Sequence, residues 1–149
     1  MSSIEINRIL VPTDGSEHTK NALDYALEIA EKFNGTVLLL NILPDPVVKT
    51  YSPHLEDKGF NDSDKLVEER KKILNDEFER GKQNKPEIKI SKKLDQGPVA
   101  DKIIEYVNAE NIDLIVMGHK GLHLHQELIM GSKTRKVAQK TELPLLIVK

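Results

Sequence analysis

One glycine pair and a later Gly-Ser step in this chain point to anion chemistry. Gly118-His119-Lys120-Gly121 is followed by nine residues, Leu122 to Met130, and then by Gly131-Ser132. Glycine lets a backbone come close to an anion, and the free N–H groups at a helix N-terminus point towards it. The apolar run Ile112-Asp113-Leu114-Ile115-Val116-Met117 leads into the pair. A strand would therefore empty into a glycine-rich loop that opens a helix, which is an arrangement suited to phosphate. A side chain placed at Gly118 or Gly131 is expected to fill the anion's space. Near the start of the chain, Pro12-Thr13-Asp14-Gly15-Ser16 follows another short apolar run and puts a carboxylate at a strand end.

Two better-known phosphate motifs do not fit. A P-loop needs glycine, four residues and then Gly-Lys-Ser/Thr. In Gly131-Ser132-Lys133-Thr134 a serine separates glycine from lysine, and position 126 is Gln126. A dinucleotide fingerprint needs its glycines in the first βα turn, where this chain has only Asp14-Gly15. Simpler roles compete at each position. Asp14 could serve as a helix cap, Gly118 and Gly121 as plain turn glycines, and Met117 as core. The joint spacing of the glycines favours the binding role. Ser132 is expected to be an N-cap in either case, because capping and phosphate binding use the same geometry. His119 and His123 are four apart, with His125 and Glu127 nearby. The glycines argue against a helix there, so solvated loop histidines fit better than a metal site. Lys133, Arg135, Lys136 and Lys140 read as a solvated basic face.

The elements that must position these residues follow from periodicity. Arg8 to Pro12 reads as a first strand. Leu23, Ala26, Leu27 and Ala30 recur at helical spacing within Glu17 to Phe33, and Asn34-Gly35 ends that helix. Thr36 to Leu43 is apolar on both faces, as a central parallel strand should be. Pro44 to Ser63 carries three prolines and little pattern, and reads as a long loop or lid. Asp64 to Gln83 reads as a charged helix with Val67, Leu74 and Phe78 on one face, and with Glu68/Lys72 and Asp76/Arg80 as i,i+4 pairs. Ile88 and Ile90 alternate with polar residues, which predicts a strand near a sheet edge. A helix from Gly97-Pro98 turns Ala100, Ile103, Ile104 and Val107 inward. Asp113 to Met117 is a fourth strand, Ser132 to Lys140 a helix, and Leu145 to Val148 a last strand. Alternating strands and helices imply an α/β fold: a parallel sheet covered on both faces. Ligands bind such sheets beyond the carboxyl ends of the strands.

Composition narrows the function classes. The chain has 149 residues, 31% of them charged, and a net charge of −2. That length suits one domain over residues 1–149. The charge balance gives no reason to expect nucleic acid or a membrane surface as partner. Without cysteine there is no disulfide, thiolate catalysis or Cys-based zinc site. No apolar run approaches the ~20 residues of a membrane span, and Met1 to Asn7 has no apolar signal core, so a cytoplasmic location is expected.

Gly-x2-Gly-x9-Gly-Ser after the fourth strand, with Val-Pro-Thr-Asp-Gly-Ser after the first, resembles the ATP-binding branch of the universal stress protein family. The likeness extends over essentially the whole chain, including Gly97-Pro98 and the closing Glu142-Leu143-Pro144-Leu145-Leu146-Ile147-Val148. It implies an open, Rossmann-like five-stranded parallel sheet in the order 3-2-1-4-5, with Asp14 and Gly118 facing each other where the order reverses. It also implies an adenine-nucleotide site. Pro12, Thr13 and Asp14 would meet the adenine and ribose side, and Ile42 would line the adenine pocket. Met117 and Gly118 would sit beside the ribose. Lys120, Gly121, Gly131, Ser132, Lys133 and Thr134 would hold the phosphates through backbone N–H groups, hydroxyls and lysine side chains. The ligand would be ATP, ADP or AMP, with or without Mg²⁺. The chain departs from the family pattern in its histidine-rich insert and in Lys133, where an aliphatic residue is common. Efficient phosphoryl transfer needs a placed base and acids for Mg²⁺, and only Asp14 lies near. A nucleotide-binding regulatory protein is therefore favoured over a slow ATPase or phosphotransferase and over a ligand-free dimeric interaction module. The last strand is apolar on both faces and ends the sheet, which predicts a homodimer through Pro144 to Val148.

Overall fold

The computed structural model describes residues 3–44, 56–119 and 130–149, with the backbone alone for 56–63. Five parallel strands, β1 (Arg8–Pro12), β2 (Thr36–Leu43), β3 (Ile90–Gln96), β4 (Leu114–Gly118) and β5 (Leu145–Val148), form one sheet in the order β3-β2-β1-β4-β5. This is the order that the resemblance implied. Among the described residues four helices cover it: α1 (Glu17–Phe33), α2 (Glu56–Asn84), α3 (Val99–Ala109) and α4 (Ser132–Lys140). Alternate residues of the central strands enter two separate cores. Ile9, Val11, Val37 and Leu39 pack with α1 and Leu74 of α2. Leu10, Leu38, Leu40 and Ile42 pack with Ile103 of α3 and Val137 of α4. Burial on both faces is why β1, β2 and β4 read as unbroken apolar runs.

Local signals set the ends of the elements. Ser16 caps α1, its side chain accepting from the Thr19 amide, and Asn34 closes the helix in the left-handed conformation at φ 56°. The Asp113 carboxylate accepts from the amides of Asn7 and Arg8 at 2.8 and 3.0 Å, which ties the start of β1 to that of β4. The register Ile9↔Leu114 follows.

Three expectations need correction. Helix α2 begins at Glu56, so the last part of the expected 44–63 loop is helical; residues 45–55 lie outside the described set. Glu56 to Ser63 lacks apolar periodicity, but a helix already nucleated downstream extends through such residues at little cost. Arg80 pairs with Asp24 of α1 at 2.8 Å and Lys71 with Glu68 at 3.4 Å, in place of the expected i,i+4 partners. Strand β4 ends at Gly118, which pairs with Val148 and is a strand residue, not the first residue of a loop.

Candidate functional site

A cleft enclosing about 510 Å³, counting its solvent-facing mouth, lies along the carboxyl ends of β1, β2 and β4. One wall is apolar and is built by Pro12, Leu40, Ile42, Val99, Ile103 and Met117. Most of these residues belong to the core on the α3 and α4 side of the sheet. The opposite wall is polar and is built by Thr13, Asp14, Thr19 and Arg70. Gly118, Lys133 and Thr134 close the end beside α4.

The polar wall is held by a chain of hydrogen bonds. Gly15 takes φ +86°, which only glycine adopts readily, and this turns the backbone from β1 into α1. The Ser16 amide then donates to Asp14 Oδ1 at 2.9 Å. Asp14 is therefore an Asx-turn residue, not the helix cap, and one of its oxygens is held by that turn. The Thr19 hydroxyl donates to the Ser16 carbonyl at 2.9 Å. The Thr13 hydroxyl donates to the Glu77 carboxylate. Glu77 comes from α2 and is only 3% exposed. Burial raises its pKa above the usual carboxylate value; the Thr13 bond and the charge of Arg80 oppose this, the Asp14 charge adds to it, and the Lys20 charge opposes it. Its second oxygen, Oε1, has no hydrogen-bond partner among the described residues.

The α4 end differs in kind. Gly131 is the N-cap, with no side-chain capping bond, and the first turn contains no acid. Ser132 is thus the first helical residue rather than the cap. The amides of Ser132, Lys133 and Thr134 occupy the turn where no intrahelical acceptor exists, so this end favours an anion. The Gly131 amide is already committed, donating to the His119 carbonyl at 2.8 Å, while the His119 amide donates to Val148 at 2.8 Å. The buried Thr134 hydroxyl donates to the Gly118 carbonyl at 2.9 Å. Its single proton is therefore not available for phosphate, and neither is the Gly131 N–H. Both act as struts that dock α4 on β4. Gly118 also has a structural task. A Cβ there would stand 2.8 Å from His18 Cβ and 2.9 Å from the His18 backbone carbon. The missing side chain makes room for α1.

Eight sequence-derived candidates thus line the cleft: Pro12, Thr13, Asp14, Ile42, Met117, Gly118, Lys133 and Thr134. Gly131 and Ser132 adjoin it at the start of α4. Lys120 and Gly121 lie outside the described residues, as do His123, His125 and Glu127. His119 is buried, not solvated. No cluster of three metal-ligating side chains occurs among the described residues. Sequence reasoning missed Thr19, Leu40, Arg70, Val99, Ile103 and the buried Glu77. Arg70 and Glu77 are seven apart, two helical turns, and flank the buried Leu74. Polar residues interrupting an inward helical face were the available signal.

Residues 5–149 match the Universal stress protein family. Universal stress protein YxiE of Bacillus subtilis is 29% identical, over 96% of this chain and 99% of its own. Universal stress protein MJ0577 of Methanocaldococcus jannaschii is 29% identical over 99% and 97%. The solved structure of MJ0577 superposes with a TM-score of 0.79 at 26% identity, covering 98% of this chain and 97% of that one. A universal stress protein solved in complex with cAMP shares the fold, with a TM-score of 0.67, 23% identity and 97% coverage of both chains.

Proposed function

The chain belongs to the universal stress protein family, and from that premise we propose that it binds an adenine nucleotide in the cleft and acts as a regulatory protein through nucleotide-dependent conformation or partner choice. The observation that carries this reading is the continuity of two environments. An apolar slot at Ile42, Val99, Ile103 and Met117 runs into the α4 N-terminus, where Lys133 lines the cleft. A nucleotide has this division, a flat apolar base at one end and anions at the other. Asp14, oriented by the Ser16 amide, would accept from ribose hydroxyls. The backbone amides of Ser132, Lys133 and Thr134, with the Lys133 ammonium, would hold phosphate. Lys120 and Gly121 keep the phosphate role implied by the motif.

The experiment is calorimetric titration with ATP, ADP, AMP and cAMP, paired with mass spectrometry of nucleotide released from the purified, denatured protein. Micromolar binding of at least one compound is expected. Flat titrations for all four, with no nucleotide released, would sink the proposal. Any hydrolysis would be weak, because Asp14, the carboxylate among the described residues that line the cleft, is engaged in holding its loop through the Ser16 amide. Steady multiple turnover lost on Asp14→Asn would reverse that assignment.

The cytoplasm remains the proposed location, and one domain over residues 1–149 the proposed organisation. A homodimer is proposed through β5, which pairs with β4 alone and leaves Leu145, Leu146 and Ile147 half-buried at the sheet edge. Antiparallel pairing of two copies would cover that edge. Sedimentation as a monomer at micromolar concentration would count against it.

A further inference from the structure

The cleft contains no aromatic side chain among the described residues that line it. A base held in an open groove is usually covered by a flat partner. Where no ring is present, the arginine guanidinium is the side-chain plane that stacks on bases. Arg70 is the arginine on this lining. It projects from α2 towards β2, where its Nη1 donates to Asn41 Oδ1 at 3.2 Å. Asn41 immediately precedes Ile42 of the apolar wall.

Two features of this pair are unexplained by folding alone. Asn41 is 0% exposed on a central strand whose neighbours are leucines and isoleucine, and its Nδ2 has no hydrogen-bond partner among the described residues. An apolar residue of that size would remove the desolvation cost. The amide makes sense through what it holds. Arg70, for its part, has no carboxylate partner among the described residues. Arg8 and Arg80 do, pairing with Glu110 at 3.2 Å and Asp24 at 2.8 Å. A half-buried guanidinium with no carboxylate partner among the described residues, directed by a buried amide, is arranged for a ligand.

Its place on the sheet indicates which part of the ligand. Arg70 is bound over β2, whereas Lys133 and the α4 N-terminus follow β4, and β1 lies between them. Two strand spacings separate the ends by roughly 10 Å. Resting on the nucleotide reading above, we propose that Arg70 is the base-recognition residue of this site, its guanidinium stacked on the purine, and that Asn41 is its positioning residue.

Titration of wild type, Arg70→Ala, Arg70→Lys and Asn41→Leu with ATP and with inorganic tripolyphosphate tests this. A cation on an aromatic face contributes enough that Arg70→Ala should weaken ATP binding about three- to thirtyfold. Tripolyphosphate affinity should stay unchanged. Arg70→Lys, which keeps the charge but loses the plane, should recover little of the loss, and Asn41→Leu should lose less than Arg70→Ala in the same pattern. Circular dichroism melts of each variant would establish that the fold is retained. Equal weakening of ATP and tripolyphosphate, or full recovery by lysine, would make Arg70 a phosphate contact and overturn the inference. Unchanged ATP affinity in Arg70→Ala would overturn it while leaving nucleotide binding intact. A wild type that binds no ATP would remove the nucleotide reading and this inference with it.

Discussion

The two walls of the cleft are built on different principles. The apolar wall is also core: Ile103 is fully buried, and Leu40, Ile42 and Met117 belong to the cluster beneath α3 and α4. Its shape is maintained by the same packing that holds the sheet together. The polar wall borrows from the loop after β1 and from α2. It carries a guanidinium without a carboxylate among the described residues, and the Thr13 hydroxyl is braced from behind by the buried Glu77. A half-buried guanidinium is costly without a counter-charge and becomes favourable when a ligand supplies the missing partner. The contrast implies that changes to the apolar wall reduce stability and binding together, whereas changes to the polar wall separate them.

Ile103→Ala gives the largest expected effect. It removes a fully buried side chain shared by core and cleft, and should cost about 3 kcal/mol of unfolding free energy in denaturant melts. Loss of ligand affinity without loss of stability would break the claim that this wall is core. Gly118→Val comes next. Its side chain would meet the α1 backbone at His18, so a loss of about 2 kcal/mol is expected, in contrast to the sequence-based expectation of a blocked anion site. If this variant melts like wild type yet binds no nucleotide, the original expectation was right.

The polar wall should behave otherwise. Asp14→Asn keeps an oxygen for the Ser16 amide but removes the charge that would bind ribose. ATP affinity should fall about tenfold to a hundredfold, the range of one charge-assisted hydrogen bond, with the melting temperature little changed. A large drop in melting temperature would show that Asp14 serves the fold first. Glu77→Gln is the subtlest test. Burial raises the Glu77 pKa above its ordinary 4.5. Below the unfolded value the carboxyl is protonated in both states. As pH rises from there through the native value, the unfolded chain releases its proton first and native stability declines. Wild type should therefore lose stability relative to Glu77→Gln across that window, and the gap should become constant above it. A gap that widens on acidification would mean that the ionised form is the favoured one in the native protein.

Much of the fold was legible because it rests on local periodicity. Residues Arg8 to Pro12, Glu17 to Phe33, Thr36 to Leu43 and Ser132 to Lys140 form the elements that their patterns indicate. The first eight residues of α2, Glu56 to Ser63, were not legible, since their helicity is propagated from the packed part of the helix and leaves no apolar stripe. At the site, Asp14, Ile42 and Met117 were found from motif and position. Arg70 and Glu77 were not, because nothing near them in the chain says that α2 folds back over the end of β1.

The sequence by itself determined an alternating α/β chain, the approximate extent of its strands, and a glycine-rich approach to a helix. Those properties depend on residues a few places apart, where sterics and period decide the outcome. Only the tertiary structure decided which groups remain available at the cleft. The Gly131 amide and the Thr134 hydroxyl are committed to carbonyls across the β4–α4 junction, Gly118 is pressed against α1, and Arg70 and Glu77 arrive from a distant helix. A hydrogen-bonding group has few partners to give, and which one takes them depends on what the folded chain brings within 3 Å or so.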